Sequence, residues 1–152
     1  MLFSLICFSL CVYLGFCFSN KIKSEKKLIK GVIRFNKSMI INMEYDKKSL
    51  TDFIKEYKDE DIKQLLNNYV KQLKGGKEIS VDIKDKALKA EIDSYFSALG
   101  KSNAQSQAEF AKGYEKTFQM HYDEFCAVAN KKIVLYPKLG ILLGGIIFIM
   151  LI

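Results

Sequence analysis

Residues 2–19 read LFSLICFSLCVYLGFCFS, and none of these 18 side chains is charged. As an α-helix the stretch would extend roughly 27 Å, close to the hydrocarbon thickness of a bilayer. A secretory signal peptide would need a basic start, a shorter apolar run and small residues before its cleavage site. No basic residue precedes this run, and Phe16 and Phe18 stand where small residues are wanted. We therefore predict an uncleaved transmembrane helix over residues 2–19, with a secreted protein as the alternative.

The other end of the chain is apolar as well. Residues 133–152 read IVLYPKLGILLGGIIFIMLI, a stretch that would extend roughly 30 Å as a helix. Pro137 and Lys138 interrupt it, so the Lys138 amine must reach the membrane interface, a depth that also suits Tyr136. A buried core helix that ends the domain is the alternative. Because no charge follows Lys138, we predict a second transmembrane helix over 133–152.

The distribution of charge predicts the orientation in the membrane. The net charge of +7 lies beside the apolar ends: residues 21–34 hold six basic residues and one acid, and Lys131, Lys132 and Lys138 add three more. Cytoplasmic flanks of transmembrane helices carry the Lys and Arg excess, so we expect residues 20–132 to form a cytoplasmic domain, with both termini on the far side. Residues 35–130 hold 15 basic and 16 acidic residues, which argues against a nucleic-acid-binding role.

Apolar residues in the central region recur with helical spacing. The pattern predicts an all-α fold, a cytoplasmic helical bundle of about five helices flanked by N- and C-terminal transmembrane helices. Ser49 and Asp52 form a capping-box variant, and Ser102 with Gln105 forms a capping box. Gly75, Gly76 and Gly100 are placed to end helices. The predicted helical segments are 21–43 as a continuation of the first span, 49–57, 62–73, 80–99 with Ser80 as its cap, and 103–132 leading into the second span.

Nothing in the sequence predicts a catalytic, cofactor or metal site. His121 is the only histidine and no CxxC is present, so no set of metal ligands is expected. Gly100-Lys101-Ser102 lacks the earlier glycine of a phosphate-binding loop and follows a helix. The acidic run Asp59–Asp61 is interpreted as a solvated helix start. We expect a protein that is not an enzyme and that binds no cofactor.

Two glycines in the second span are candidates for transmembrane helix packing. Gly140 and Gly144 are four residues apart, and small residues at this spacing let transmembrane helices approach closely. The pattern leaves open whether the packing would be within the chain, in a homo-oligomer, or with another subunit.

Two stretches resemble a known family. The junction Leu99-Gly100-Lys101-Ser102-Asn103, followed by Gln105 or Gln107, is similar to the LGxSD stretch of the stage III sporulation protein AB family. The ending YPKLGILLGG over residues 136–145 resembles that family's C-terminus, and the layout of span, domain and span agrees. The family usually has Asp where this chain has Asn103, and Pro-Leu where it has Ser49-Leu50.

The resemblance implies a specific function. The family is related to the cytoplasmic F domain of type II secretion and type IV pilus platform proteins. Membership would imply a structural subunit, in the mother-cell membrane, of the secretion-like channel complex between mother cell and forespore that is required for spore formation. The subunit would appear in the mother cell during forespore engulfment. It would dock a hexameric secretion-type ATPase and contact other membrane subunits. The candidate partner-contact loop is Leu99, Gly100, Lys101 and Ser102. A membrane-tethered regulatory adaptor without a secretion role is the alternative.

Overall fold

The fold of the described residues is all-α, as predicted. The computed structural model describes residues 2–75, 81, 83–101 and 104–151; 86% of these are helical and none lies in a strand. The described part contains five α-helices, and a π-helical turn at Asn42–Asp46 continues the first of them. The helices are α1 (Leu2–Ile41), α2 (Leu50–Glu56), α3 (Lys63–Leu73), α4 (Lys86–Ala98) and α5 (Ala104–Met150).

The chain divides into two compact units. One consists of Met1–Lys26 with Glu124–Ile152, and the other of Lys27–Asp123. The helical stretches Phe3–Asp46 and Gln105–Met150 are long and apolar enough to cross a membrane, and in the apolar 18-residue stretch of each only 17% and 11% of the residues are buried. These terminal helices fit a membrane protein. The transmembrane limits 2–19 and 133–152 and the domain 20–132 remain predictions.

The Lys27–Asp123 unit is built around a cluster of aromatic rings. Phe35 of α1 is fully buried, and its ring centroid lies 5.9 Å from that of Phe96 in α4. Tyr95 is also fully buried, with its ring 5.2 Å from Phe96 and 5.2 Å from Phe118 of α5. Aromatic contacts at these separations add to the burial of apolar area. The core of this unit therefore joins residues from α1, α4 and α5.

The cap of α2 is the one predicted from the sequence. The Ser49 hydroxyl accepts a hydrogen bond from the Asp52 amide at 3.2 Å and donates one to the Asp52 carboxylate at 2.6 Å. This arrangement satisfies one of the amides that a helix start leaves without a partner. The predicted opening of α2 is confirmed.

The acidic run before α3 is not simply solvated, as the sequence suggested. Arg34 of α1 donates to Asp59 at 2.8 and 3.0 Å and to Asp61 at 2.7 Å, and the Asp59 side chain is only 12% exposed. The guanidinium lowers the pKa of Asp59 below its ordinary value. The pair therefore contributes stability at neutral pH, and this contribution is lost as pH falls through the lowered pKa. The sequence could not indicate that these segments meet.

The start of α4 differs from the prediction. The helix was expected to begin at Ser80, which lies outside the described residues, but it begins at Lys86. The Asp85 carboxylate accepts hydrogen bonds from the amides of Ala87 at 3.0 Å and Leu88 at 3.1 Å, so Asp85 is the cap. Val81 and Ile83 are buried outside any helix. Their burial had been mistaken for the first turn of an apolar helical face.

The last helix runs without a break to Met150. It is described from Ala104 onward; Ser102 and Asn103, and with them the expected helix start and capping box, lie outside the described residues. It contains Pro137 within its length. The predicted continuation from the domain into the apolar C-terminal run is confirmed.

Candidate functional site

The candidate partner-contact loop connects α4 to α5. The Leu99 side chain is buried, whereas Gly100 and Lys101 are exposed; Ser102 is not described. Gly100 has a φ of +83°, a left-handed conformation that glycine adopts without steric cost. The sequence had indicated Gly100 as the residue that ends the helix, and this is confirmed. Of the three loop residues that the structure describes, Gly100 and Lys101 are the ones whose atoms are exposed to a partner.

Within the Lys27–Asp123 unit, two helices hold this loop by hydrogen bonds and a third lies close to it. The Tyr69 hydroxyl of α3 donates to the Leu99 carbonyl at 2.7 Å. The Gly100 amide donates to the side-chain oxygen of Gln107 in α5 at 3.0 Å. A Cβ at Gly100 would lie 2.9 Å from Leu50 of α2. The loop is therefore a fixed junction, and its exposed residues are presented in a defined conformation.

Two buried tyrosines offer a matched test of this junction. The Tyr69 hydroxyl is protonated at neutral pH and can donate, and burial raises its pKa above the ordinary tyrosine value. The buried Tyr95 hydroxyl, in contrast, has no hydrogen-bond partner among the described residues. We expect Tyr69→Phe to lower the free energy of unfolding by about 1–2 kcal/mol, since the Leu99 carbonyl loses its donor. Tyr95→Phe should be neutral or stabilising by up to about 1 kcal/mol. Urea unfolding of the full chain in detergent measures both; equal losses would contradict the assignment.

The candidate packing glycines lie against the first helix, within the Met1–Lys26 and Glu124–Ile152 unit. A Cβ at Gly140 would lie 2.8 Å from the Cys11 carbonyl oxygen and 3.3 Å from the Gly15 Cα. A Cβ at Gly144 would lie 3.2 Å from the Phe8 carbonyl oxygen and 3.4 Å from the Cys11 Cβ. Close backbone approach of this kind is what small residues permit in membranes. The structure thus brings both glycines to a contact within the chain.

The same contact satisfies the backbone at Pro137. A proline inside a helix has no N–H, so the carbonyl four residues earlier, that of Ile133, lacks its helical donor. The Ser19 hydroxyl of α1 donates to the Ile133 carbonyl oxygen at 2.9 Å. Proline in transmembrane helices is tolerated where side chains such as Ser satisfy the freed backbone group. Ser19, itself buried, explains how α5 continues through Pro137.

Removing the Ser19 hydroxyl should weaken this unit. We expect Ser19→Ala to cost about 0.6 kcal/mol, the average found for hydrogen bonds between membrane helices, and at most about 1.7 kcal/mol. Ser9→Ala is the control, because Ser9 is exposed on the same helix. Resistance to unfolding by SDS in mixed micelles is the measurement. A Ser19→Ala protein as resistant as the Ser9→Ala protein would show that the bond contributes nothing.

Sequence reasoning missed Gly15 and Ser19. A signal was present, since Cys7, Cys11, Gly15 and Ser19 recur at intervals of four residues and are all small. This pattern is a stripe of the small-xxx-small kind, like the one identified at Gly140 and Gly144. The prediction for residues 2–19 used only the length of this apolar stretch and its lack of charge, and not the spacing of its small residues.

No grouping of metal-ligand side chains occurs in the part of the chain that the structure describes. There, no three His, Cys, Asp or Glu residues lie together so that they could hold a metal ion. His121 lies half-buried on α5. The candidate functional sites that the structure describes are therefore the loop at Leu99, Gly100 and Lys101 and the helix contact at Gly140 and Gly144.

Comparison with known proteins identifies the family. Neither a search of curated proteins nor a search of solved structures found a match to the chain. The model of the stage III sporulation protein AB family matches residues 1–152, the whole chain. This family is a structural sporulation family and is not known as a family of enzymes. The match confirms the resemblance carried by the Leu99–Asn103 junction and by the ending over residues 136–145. The chain therefore belongs to the stage III sporulation protein AB family and has a role in sporulation.

Proposed function

We propose that this protein is a structural platform subunit of the secretion-like channel complex between mother cell and forespore, and that its helical domain docks a hexameric secretion-type ATPase. Family membership over the whole chain carries this proposal. The layout supports it, because two apolar helices can hold a helical domain at a membrane. A platform subunit of this kind needs a stable surface and no reaction chemistry of its own.

The charge distribution supports a cytoplasmic position for the domain, where an ATPase has access to nucleotide. Lys21, Lys23 and Lys27 follow the first apolar run and are exposed, and Lys131 and Lys132 precede the second and are exposed. Basic residues next to both runs favour an arrangement in which both flanks face the cytoplasm. The membrane would be that of the mother cell, with both termini on its far side.

The loop at Gly100 and Lys101 is the proposed contact with the ATPase. Its conformation is held by Tyr69 and Gln107, so a partner would bind it without ordering a flexible segment. A preorganised contact loses less conformational entropy on binding. Lys101 supplies an exposed positive charge to an acidic partner surface.

Capture of the ATPase tests the proposal. The full chain in lipid nanodiscs should bind the purified hexameric ATPase at micromolar concentration or below, and Lys101→Glu should weaken binding about tenfold, a change of about 1.4 kcal/mol. Lys86→Glu, at an exposed site on α4, is the charge-matched control and should bind as the wild type does. Absence of binding at micromolar concentrations would contradict the docking role and favour the regulatory adaptor. Other membrane subunits can be sought by the same capture.

A further inference from the structure

A groove of about 660 Å³ lies between α2 and α3 in the Lys27–Asp123 unit. Its volume is in the range of binding pockets in proteins. It is separate from the loop at Gly100 and Lys101, neither of which lines it. We call it the α2–α3 groove; its lining residues of α2, α3 and their connection extend from Ile54 to Lys71.

The floor of the groove is apolar. Ile54 of α2 and Leu66 of α3 are almost completely buried, and Tyr57 and Val70 are half-buried beside them. Residual exposure of Tyr57 and Val70 leaves apolar surface that a partner could cover. Such a floor suits apolar side chains better than a hydrated anion, because burying a charge without full pairing is costly.

The rim of the groove is basic. Four lysines line it: Lys55, Lys58, Lys63 and Lys71. The two acids of the lining are already engaged, since Asp59 binds Arg34 and Glu60 accepts from Lys63 at 2.8 Å. Lys55 lies 3.6 Å from Asp52.

Two of these lysines are available for a ligand. Within residues 2–75, 81, 83–101 and 104–151, Lys58 and Lys71 form no ion pair. They belong to different elements, since Lys58 lies in the connection after α2 and Lys71 in the last turn of α3. Their positive charges therefore border the apolar floor, and no carboxylate of the described residues forms an ion pair with them.

We propose that the α2–α3 groove binds an acidic amphipathic segment of a protein partner. The apolar side chains of the segment would cover Tyr57 and Val70, and its carboxylates would pair with Lys58 and Lys71. Helices that place an apolar face into a groove recognise their partners in this way. Complementary charge at the rim sets the choice of partner and speeds association. This surface goes beyond the proposed docking loop and does not depend on the ATPase.

A designed peptide tests the groove in the full chain, held in nanodiscs of neutral lipid. The probe is a fluorescent 14-residue peptide of Leu and Glu, with the leucines on one helical face. A scrambled peptide of the same composition, without a single apolar face, is its control. The wild-type chain should bind the probe at least fivefold more tightly than the scrambled peptide. Lys58→Glu with Lys71→Glu should weaken binding tenfold or more. Lys86→Glu with Lys116→Glu, which changes the net charge equally, should weaken it less than twofold.

Lysine acylation of the wild-type chain provides a readout that needs no variant. Bound peptide should protect Lys58 and Lys71 at least threefold, as measured by mass spectrometry, and leave Lys86 and Lys116 unchanged. Equal weakening by both double variants, equal binding of the two peptides, or uniform protection would overturn the proposal. A further sample without peptide uses nanodiscs that contain anionic lipid. Protection of Lys58 and Lys71 in that sample would overturn the proposal in favour of a membrane ligand.

Discussion

Replacing Gly140 with valine is expected to separate the two apolar helices. A Cβ at this position would lie 2.8 Å from the Cys11 carbonyl oxygen and 3.3 Å from the Gly15 Cα, and both are backbone atoms. Neither can rotate away as a side chain can, so the helices themselves must move apart. Overpacking of this kind costs about 1–3 kcal/mol, and valine adds two further methyl groups.

Crosslinking measures this separation directly. A Cβ at Gly144 would lie 3.4 Å from the Cys11 Cβ, near the separation that a disulfide requires. Gly144→Cys, in a chain whose other three cysteines are replaced by alanine, should therefore form a disulfide with native Cys11 under mild oxidation. Adding Gly140→Val should slow this reaction severalfold, whereas Gly145→Val should not, because a Cβ at Gly145 meets nothing within 4 Å. Crosslinking at the same rate in both variants would show that the glycine contact is wrong.

Gly31→Val should have the second large effect, on the Lys27–Asp123 unit. A Cβ at Gly31 of α1 would overlap the γ-methyl group of Ile62, which is fully buried at the start of α3. Because Ile62 is branched at Cβ and enclosed, it cannot turn away without disturbing its neighbours. We expect a loss of about 3 kcal/mol in the free energy of unfolding, the upper end of the range for overpacked cores.

A second glycine on a helix provides the control. Gly113 lies inside α5, and a Cβ there would meet nothing within 4 Å. Gly113→Ala should stabilise the chain by about 0.5–1 kcal/mol, since alanine loses less conformational freedom in a helix. Urea unfolding of the full chain in detergent, followed by circular dichroism, measures both variants. A Gly31→Val protein as stable as the wild type would contradict the close approach of α1 to Ile62.

Local signals predicted those elements whose causes are local. Ser49 and Asp52 are three residues apart and cap α2 by themselves, and Gly100 supplies a conformation that its own backbone permits. The start of α4 was placed incorrectly because Val81 and Ile83 are buried by contacts outside a helix. Over so short a stretch, a buried non-helical segment and the apolar face of a helix have the same pattern of apolar residues, so the sequence does not distinguish them.

Contacts between distant residues could not be predicted in this way. Ser19 lies 114 positions before Ile133, and Arg34 lies 25 before Asp59. Pro137 indicated that one carbonyl would need a donor, but not which side chain would supply it. Likewise, the sequence does not distinguish Lys58 and Lys71 from ordinary solvated lysines. Only the fold shows that both line the rim of the α2–α3 groove.

The most direct test of the central claim, a cytoplasmic domain held by two membrane helices, is the sidedness of single cysteines. Lys86→Cys and Leu151→Cys, each in a chain whose native cysteines are replaced by alanine, are compared in right-side-out and inverted membrane vesicles with a membrane-impermeant maleimide. The account predicts that Lys86→Cys reacts only in inverted vesicles and Leu151→Cys only in right-side-out vesicles. Reaction of Lys86→Cys from the outside would contradict the topology and, with it, the contact with a cytoplasmic ATPase.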